Sequence, residues 1–554
     1  MADRAEQGLS CWLWMETGSN QSYIFQTTKQ RLQLAASAKT REIGEAWIPR
    51  ALAEEERARG LASGQGFCQV AKASGLAITR VVDTAFGRAV IERVTRQVLD
   101  SGSGIDLWGV VRSQQDGETL AQALNRTGEL FQEARYGRQP PSLRARNTPF
   151  TAPCVQSGRA GAYLARDGGG LQVVSGQIRS LWDPQAQART DLVAQLRSHC
   201  ASAGQDALIE GSVVSLDRLR QGNDLDHQGW YGVLHADGNG IGSVFTHLAQ
   251  AFDDDERFLQ AETALSDELH NLTWKAMAAT IVEVADRAAG GQAPPTNWVL
   301  PFLVGGDDMS VVLSGTYAFE FARVLAQKFE EYVVETDFPA IVEKLARRTD
   351  LAGVVPQKLS LGTGLVFVKP HHPFTHAIKV AEELAGNAKQ LTRDQAAIDV
   401  QVIYEPGVRT AAAIRADSEV IFQPYYGPFT WAGEGPGSYP YLEEIMQVVS
   451  LPALSGAALH DLRSALIRQA PTAEFDAGVD TILTVIKRGL DRLEDMRADQ
   501  GKLDRIRQSL RQDLVVEPDL TGFASAKVTH SPALLTAVEI CDVTYGTAFG
   551  RAKL

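Results

Sequence analysis

Two glycines followed by two aspartates, Gly305-Gly306-Asp307-Asp308, stand between the apolar runs 298–304 and 309–313. The pattern predicts a strand, a tight turn and a second strand, with two carboxylates at the tip. Well upstream, the apolar run 230–236 ends in Asp237-Gly238-Asn239-Gly240-Ile241-Gly242. An acid at the end of one strand and an acid pair on a neighbouring hairpin form a hard-oxygen site suited to Mg²⁺ or Mn²⁺. The glycines beside them let phosphate groups approach the backbone. Asp237, Asp307 and Asp308 are therefore the expected catalytic acids and metal ligands, with the Gly238 carbonyl completing the coordination. Gly238, Asn239, Gly240, Gly305 and Gly306 are expected to border a bound nucleotide.

Composition narrows the rest. A chain of 554 residues predicts roughly three or four domains rather than one core. With 44% apolar and 22% charged residues it reads as a soluble globular protein. No run of apolar residues is long enough for a membrane span, and residues 1–7 lack the apolar centre of a signal peptide. The five cysteines, Cys11, Cys68, Cys154, Cys200 and Cys541, include no CxxC pair, so neither a disulfide framework nor a self-contained zinc ribbon is written here. A cytoplasmic protein with no membrane partner is expected. The net charge of −13 argues against a general nucleic-acid binder, and the arginines at 135, 138, 144 and 146 read as a solvated linker.

Along the chain, strand-like segments at 9–15, 67–71, 78–82 and 105–111 alternate with helical patterns at 28–48, interrupted by Pro49, and at 85–99. This predicts a compact α+β unit in residues 1–138. No acid pair closes its hairpin, so it is expected to be catalytically silent, with Tyr23, Phe25 and Lys29 bordering the pocket of its neighbour. Residues 139–225 read as a connecting subdomain. In residues 226–406 the strand ending at Asp237 is followed by a helix at 262–288, the glycine–acid hairpin, a helix at 317–346 and a strand at 358–368. A helix at 373–391 and a closing strand at 399–403 complete it. The order βαββαβ is the ferredoxin-like plan on which palm domains are built. Residues 407–554 read as a C-terminal helical bundle, with Ile482, Leu483, Ile486, Leu490 and Leu493 at helical spacing.

A palm with acids from two strands matches what phosphoryl transfer onto a nucleotide hydroxyl needs, which is positioning and charge neutralisation. Lys389, near the end of its helix, is expected to reach triphosphate oxygens. Other groupings carry less. His371, His372 and His376 have no acid spaced with them for a metal site; His460-Asp461 is isolated on a helix; the acids 253–256 read as a solvated helix start. Cys154-Val155-Gln156-Ser157 has serine where a metal knuckle needs a second thiolate.

These segments resemble the large polymerase/cyclase subunit of type III CRISPR effector complexes over nearly the whole chain. The resemblance rests on Asp237–Gly242 with Gly305–Asp308, on Leu361-Gly-Thr-Gly-Leu-Val-Phe-Val-Lys-Pro370 with Ala381-Glu-Glu-Leu384 and Ala388-Lys389, and on Ser22-Tyr-Ile-Phe25 with Arg31-Leu32 and Ala35-Ala-Ser37. It implies two ferredoxin-like palm domains with a connecting subdomain and a C-terminal helical bundle. It also implies Mg²⁺-dependent joining of ATP into a cyclic oligoadenylate, with guide RNA, target RNA and other CRISPR effector subunits as partners. Departures exist. No histidine precedes His199, so the HD nuclease of many members is expected to be missing. The family's zinc cysteines are absent but for Cys154, and Asn239 stands where many relatives have a second acid. A stand-alone diguanylate-cyclase-like synthase using GTP or mixed nucleotides, or an inactive nucleotide-binding scaffold, are the rival readings.

Overall fold

The computed structural model describes residues 8–449 except 19, 28, 138–149, 168–169, 216, 219–228, 371, 405–406, 418–426 and 435–436; beyond 449 it describes 463, 516–517, 527–528 and 536–541. The first unit opens with β1 (Cys11–Gly18), whose alternate residues Cys11, Leu13 and Met15 are buried. Helix α1 (Gln30–Glu42) runs through a π-helical turn at Ile43–Trp47 into α2 (Ile48–Ala58). The expected interruption at Pro49 is therefore absent. A proline in the first turn of a helix needs no N–H of its own, and the π turn takes up the change by pairing the Ile48 N–H with the Ile43 carbonyl. Then follow β2 (Phe67–Ala73), β3 (Leu76–Val81), α3 (Thr84–Asp100), β4 (Asp106–Ser113) and α4 (Leu120–Gly137). Asp83 caps α3 by accepting from the Phe86 N–H at 2.6 Å.

The connecting segment contributes a small hairpin, β5 (Tyr163–Asp167) and β6 (Gly170–Val174), and helices α5 (Gln185–Arg197) and α6 (Ala203–Ser212). Its Val213 forms a parallel bridge to Val299, so it joins the edge of the next sheet.

The second unit holds β7 (Tyr231–Gly238), α7 (Asp255–Ala289), β8 (Val299–Gly305), β9 (Asp308–Ser314), α8 (Gly315–Val333), α9 (Phe338–Ala346), β10 (Leu361–Val368), α10 (Phe374–Leu391), β11 (Ala397–Val402), α11 (Ala411–Asp417) and β12 (Phe429–Thr430). The single helix expected at 317–346 is two, because the chain leaves helical geometry around Thr336 and Asp337, where the Thr336 hydroxyl accepts from the Phe338 N–H. Sheet order is β12-β11-β10-β7-β9-β8. The four strands at one side of it, β10-β7-β9-β8, pair antiparallel in turn and form the ferredoxin-like plan. The closing strand of that plan is β10, not the run at 399–403. Strand β11 is added outside it, parallel to β10 through the crossover α10. Strand β12 then pairs with β11, so the sheet continues past the boundary expected at 406. Of the expected C-terminal bundle, a helix α12 (Tyr439–Val449) and the helical residues 536–541 are described; the heptad-like run around Ile482–Leu493 lies outside the described residues.

The first sheet has order β2-β3-β1-β4, again all antiparallel. Read by position along the chain, both sheets share one strand order. The match extends to register. Glu16 faces Leu76 as Asp237 faces Asp308, and Thr17 donates to the Gly75 carbonyl at 2.8 Å as Gly238 donates to that of Asp307 at 3.2 Å. The α+β, two-palm architecture is thus present in the described residues.

The two units pack directly. Phe25, Phe302 and Phe374 form an aromatic triangle with centroids 5.5–6.1 Å apart. Phe25 is accordingly buried at this junction rather than bordering a pocket. The Ser37 hydroxyl donates to the Phe302 carbonyl, and that of Thr375 to the Phe25 carbonyl. The hairpin tips meet as well: a β-carbon on Gly305 would stand 3.2 Å from that of Ser74.

Candidate active site

Alternation along β7 puts His235 and Asp237 on one face and Gly232 on the other. The Gly232 face is covered by α8, since a β-carbon there would strike Ala318. The opposite face is covered by α10. On β10, Gly362 pairs with Asp237 and Gly364 with His235, and both positions need glycine because α10 lies so close. A β-carbon at 364 would collide with the Ala381 carbonyl, and one at 362 would lie 2.5 Å from Lys389 Cγ. The alanines Ala381, Ala385 and Ala388 of α10 are buried. The helix slides in over two glycines, and its last turn delivers Lys389 over the end of β7.

Asp237 and Asp308 are direct cross-strand partners, and side chains at such positions lie about 5 Å apart at their β-carbons. Asp307 occupies the two-residue loop with Gly306, which adopts φ +61°, the left-handed backbone such a loop requires. The loop is pinned from outside: the Thr273 hydroxyl on α7 reaches the Gly306 carbonyl at 2.5 Å. No side chain or backbone atom lies within 4 Å of where a β-carbon on Gly306 would stand.

This crowding of acids has electrostatic consequences. Burial, reinforced by the charge on Asp237, pushes the Asp307 carboxyl up to about 6. Burial and the charges of Asp237, Asp307 and Glu382 push Asp308 well up too. Lys389 opposes both shifts, and its ammonium is ion-paired with Asp237. The Asp307 carboxyl is close enough to Asp237 for that charge to be the second cause of its upward shift, after burial. Beneath them lies His235, held neutral by burial, with its pKa driven down to about 4.

The structure therefore brings Asp237, Asp307, Asp308, Gly238, Gly305, Gly306 and Lys389 to one place. Asn239 behaves differently from expectation. Its side chain is buried and turned inward, donating to Ser360 Oγ at 2.8 Å and the Gln395 carbonyl at 3.3 Å. It fixes the loop after β7 rather than lining a nucleotide surface. Gly240 takes φ +70° against Pro356 to start the short helix Ile241–His247.

The donor set fits a divalent cation of the Mg²⁺ class: all oxygen, in excess negative charge, with two carboxyls held back from ionising by burial and by the acids beside them. Among the described residues, no three His, Cys, Asp or Glu side chains converge tightly enough to enclose an ion. That is the usual state for Mg²⁺, which takes one or two carboxylates and completes its shell with water and substrate phosphates.

Three features escape a reading of sequence alone. His235 and Glu382 are single polar residues whose relevance appears only when β7 and α10 are placed. In the first unit, Glu16 occupies the position of Asp237, and Arg135, on the helix corresponding to α10, stands 3.8 Å from it. Trp108 fills the place of Gly362, while Gly75 and Leu76 stand for Asp307 and Asp308. The first site is an acid and a cation without the hairpin pair. As for the remaining candidates, Cys154 accepts from the Ser157 N–H at 3.5 Å. His376 accepts from the Arg409 N–H at 2.9 Å. His371 and His460-Asp461 lie outside the described residues.

Residues 230–397 match the family model for the second palm domain of Cas10/Cmr2. No curated protein matches the chain in sequence. Solved structures similar to it include a Csm1-Csm4 cassette in complex with cA4 (12% identity, TM-score 0.46, 98% of this chain and 71% of that one). Another is the same kind of cassette with AMPPNP (13%, 0.46, 98% and 70%). A third is Csm1 of T. onnurineus (14%, 0.38, 87% and 69%). No helix among the described residues is long and apolar enough to cross a membrane.

Proposed function

We propose that this chain, a Cas10-like large subunit whose second palm spans residues 230–397, is a cation-dependent nucleotidyl cyclase of a type III CRISPR effector complex. It joins nucleoside triphosphates, ATP foremost, into a cyclic oligonucleotide in the cytoplasm, under the control of partner subunits that carry guide RNA and target RNA. The observation that carries this reading is the facing of Asp237 and Asp308 across β7 and β9, with Asp307 in the adjoining turn and the Lys389 ammonium on Asp237.

Asp237, Asp307, Asp308 and the Gly238 carbonyl are the groups to hold Mg²⁺ or Mn²⁺, which when bound neutralises phosphate charge and makes a ribose hydroxyl a better nucleophile. The chain's own part is placement. Gly306 leaves open space at the tip, where a triphosphate meets backbone without obstruction. Lys389 is a compact point charge that balances Asp237 and serves the triphosphate oxygens in the same way. Residues α7 and α10 hold these groups on rigid elements, the condition for electrostatic stabilisation to act without reorganisation.

The test uses the full chain, with its RNA-bearing partner subunits, and each labelled nucleoside triphosphate in Mg²⁺. A cyclic adenylate product that vanishes in the Asp307→Ala/Asp308→Ala variant is the expected result. Turnover retained by that variant overturns the site. A GTP-derived product formed without RNA points to a stand-alone diguanylate-cyclase-like synthase, and nucleotide binding without turnover in any condition points to a scaffold.

A further inference from the structure

His235 lies directly beneath the acid cluster and has no part in the chemistry described above. It is 6% exposed and pairs across the sheet with Ser310, which is fully buried. Its Nδ1 is 3.1 Å from Ser310 Oγ and 3.4 Å from Asp308 Oδ1. About a third of the Asp308 side chain is exposed, yet its Oδ1 atom is buried and has no hydrogen-bond partner of normal geometry. So one oxygen of Asp308 points outward and the other points in, toward an imidazole that Ser310 already holds.

A buried carboxylate oxygen with no donor is costly. The nearest group able to satisfy it is the His235 Nδ1–H, in the tautomer where that proton lies between Ser310 Oγ and Asp308 Oδ1. The imidazole itself cannot turn away. Gly364 lies opposite it on β10, with the α10 backbone packed over that glycine, and the Ser310 hydroxyl fixes its ring plane. A small inward tilt of Asp308 closes the 3.4 Å separation to a hydrogen bond.

We propose that His235 and Ser310 form a positioning pair that fixes the orientation of Asp308, turning its outer oxygen toward the divalent cation and triphosphate. This rests on the cyclase reading for its consequence in turnover, but not for its consequence in cation binding. Ligating carboxylates are commonly held by such outer partners, whose removal costs roughly 10–100-fold in metal affinity or activity.

The test compares four full-length chains: wild type, His235→Phe, His235→Asn and Ser310→Ala. Mn²⁺ affinity is read by electron paramagnetic resonance in the absence of nucleotide, folding by thermal denaturation, and turnover by the assay above. Asparagine places an N–H where Nδ1 stands, whereas phenylalanine keeps only the bulk. The expected result is Mn²⁺ binding weakened about tenfold in His235→Phe and Ser310→Ala, with His235→Asn within about threefold of wild type and kcat affected more than KM. If His235→Phe does not fold, Ser310→Ala alone decides. Wild-type Mn²⁺ affinity in folded Ser310→Ala or His235→Phe overturns the proposal, as does a His235→Asn variant as impaired as His235→Phe. Loss of Mn²⁺ binding in a chain whose wild type shows no turnover upholds the positioning pair and sinks the cyclase reading instead.

Discussion

Replacing Asp307 with asparagine should stabilise the protein at neutral pH, and the structure gives the size and pH range. The Asp307 carboxyl, ordinarily at 3.8, is pushed up to about 6, first by burial and then by Asp237. Between those values the folded chain holds a proton that the unfolded chain has lost. Stability therefore falls as pH rises through that window, and the whole penalty is present above about 6. At about 1.36 kcal/mol per pH unit the ceiling is about 3 kcal/mol. Water reaches part of the loop and screens it, so about 1 kcal/mol is the realistic figure. Asparagine keeps the shape and removes the charge, which amounts to a rise in Tm of roughly 2–4 °C for a unit of this size. The assay is thermal unfolding of the full chain in EDTA at pH 5 and pH 8. The gain should appear in full at pH 8 and fall to about half of that at pH 5, the middle of the window. With Mg²⁺ added the order should reverse, since at ten times Kd the wild type gains about 1.4 kcal/mol that the variant cannot. A gain equal at both pH values, or an Asn variant less stable than wild type at pH 8 in EDTA, refutes the electrostatic account.

Two further outcomes follow from α10. Lys389→Ala removes the cation that opposes the upward shifts of Asp307 and Asp308; turnover should drop about tenfold or more, about 1.4 kcal/mol of transition-state stabilisation, and Tm should fall more at pH 8 than at pH 5. Gly364→Ala forces the helix off the sheet by collision with the Ala381 carbonyl, costing about 1–3 kcal/mol and turnover together, whereas Gly386→Ala, with open space around it, should leave turnover unchanged; equal effects of the two would sink the close-packing argument.

The glycine–acid hairpin is legible because a two-residue turn and a period-two strand leave little freedom: once β7 and β9 are neighbours, Asp237 and Asp308 must face each other. The order of elements in the second unit is legible for the same reason, since its helices and strands have clean periods. Other parts are not. A lone acid such as Glu16 in a strand looks like any solvated alternate position, and only the matching register of the two sheets gives it meaning. Asn239 sits in a glycine-rich loop and reads as ligand-facing, yet buried polar groups must find partners, and Ser360 and Gln395 supply them from segments far along the chain. The break near Thr336 is marked only by Pro339, in the first turn of the helix that follows, and a helix-compatible apolar spacing on both sides masks it. The added strands β11 and β12 follow from which sheet edge is free, and local periodicity carries no information on that.

The repeated strand order has a consequence for assembly. Two ferredoxin-like sheets that meet tip to tip resemble the halves of a dimer, but here one backbone carries both. Their encounter is intramolecular, so the juxtaposition of Ser74 and Gly305 survives dilution that would separate two free subunits. Nor does any rotation axis oblige the halves to stay alike. A substitution in a homodimer is felt twice, whereas here one tip carries Gly75 and Leu76 and the other Asp307 and Asp308, each able to change without the other.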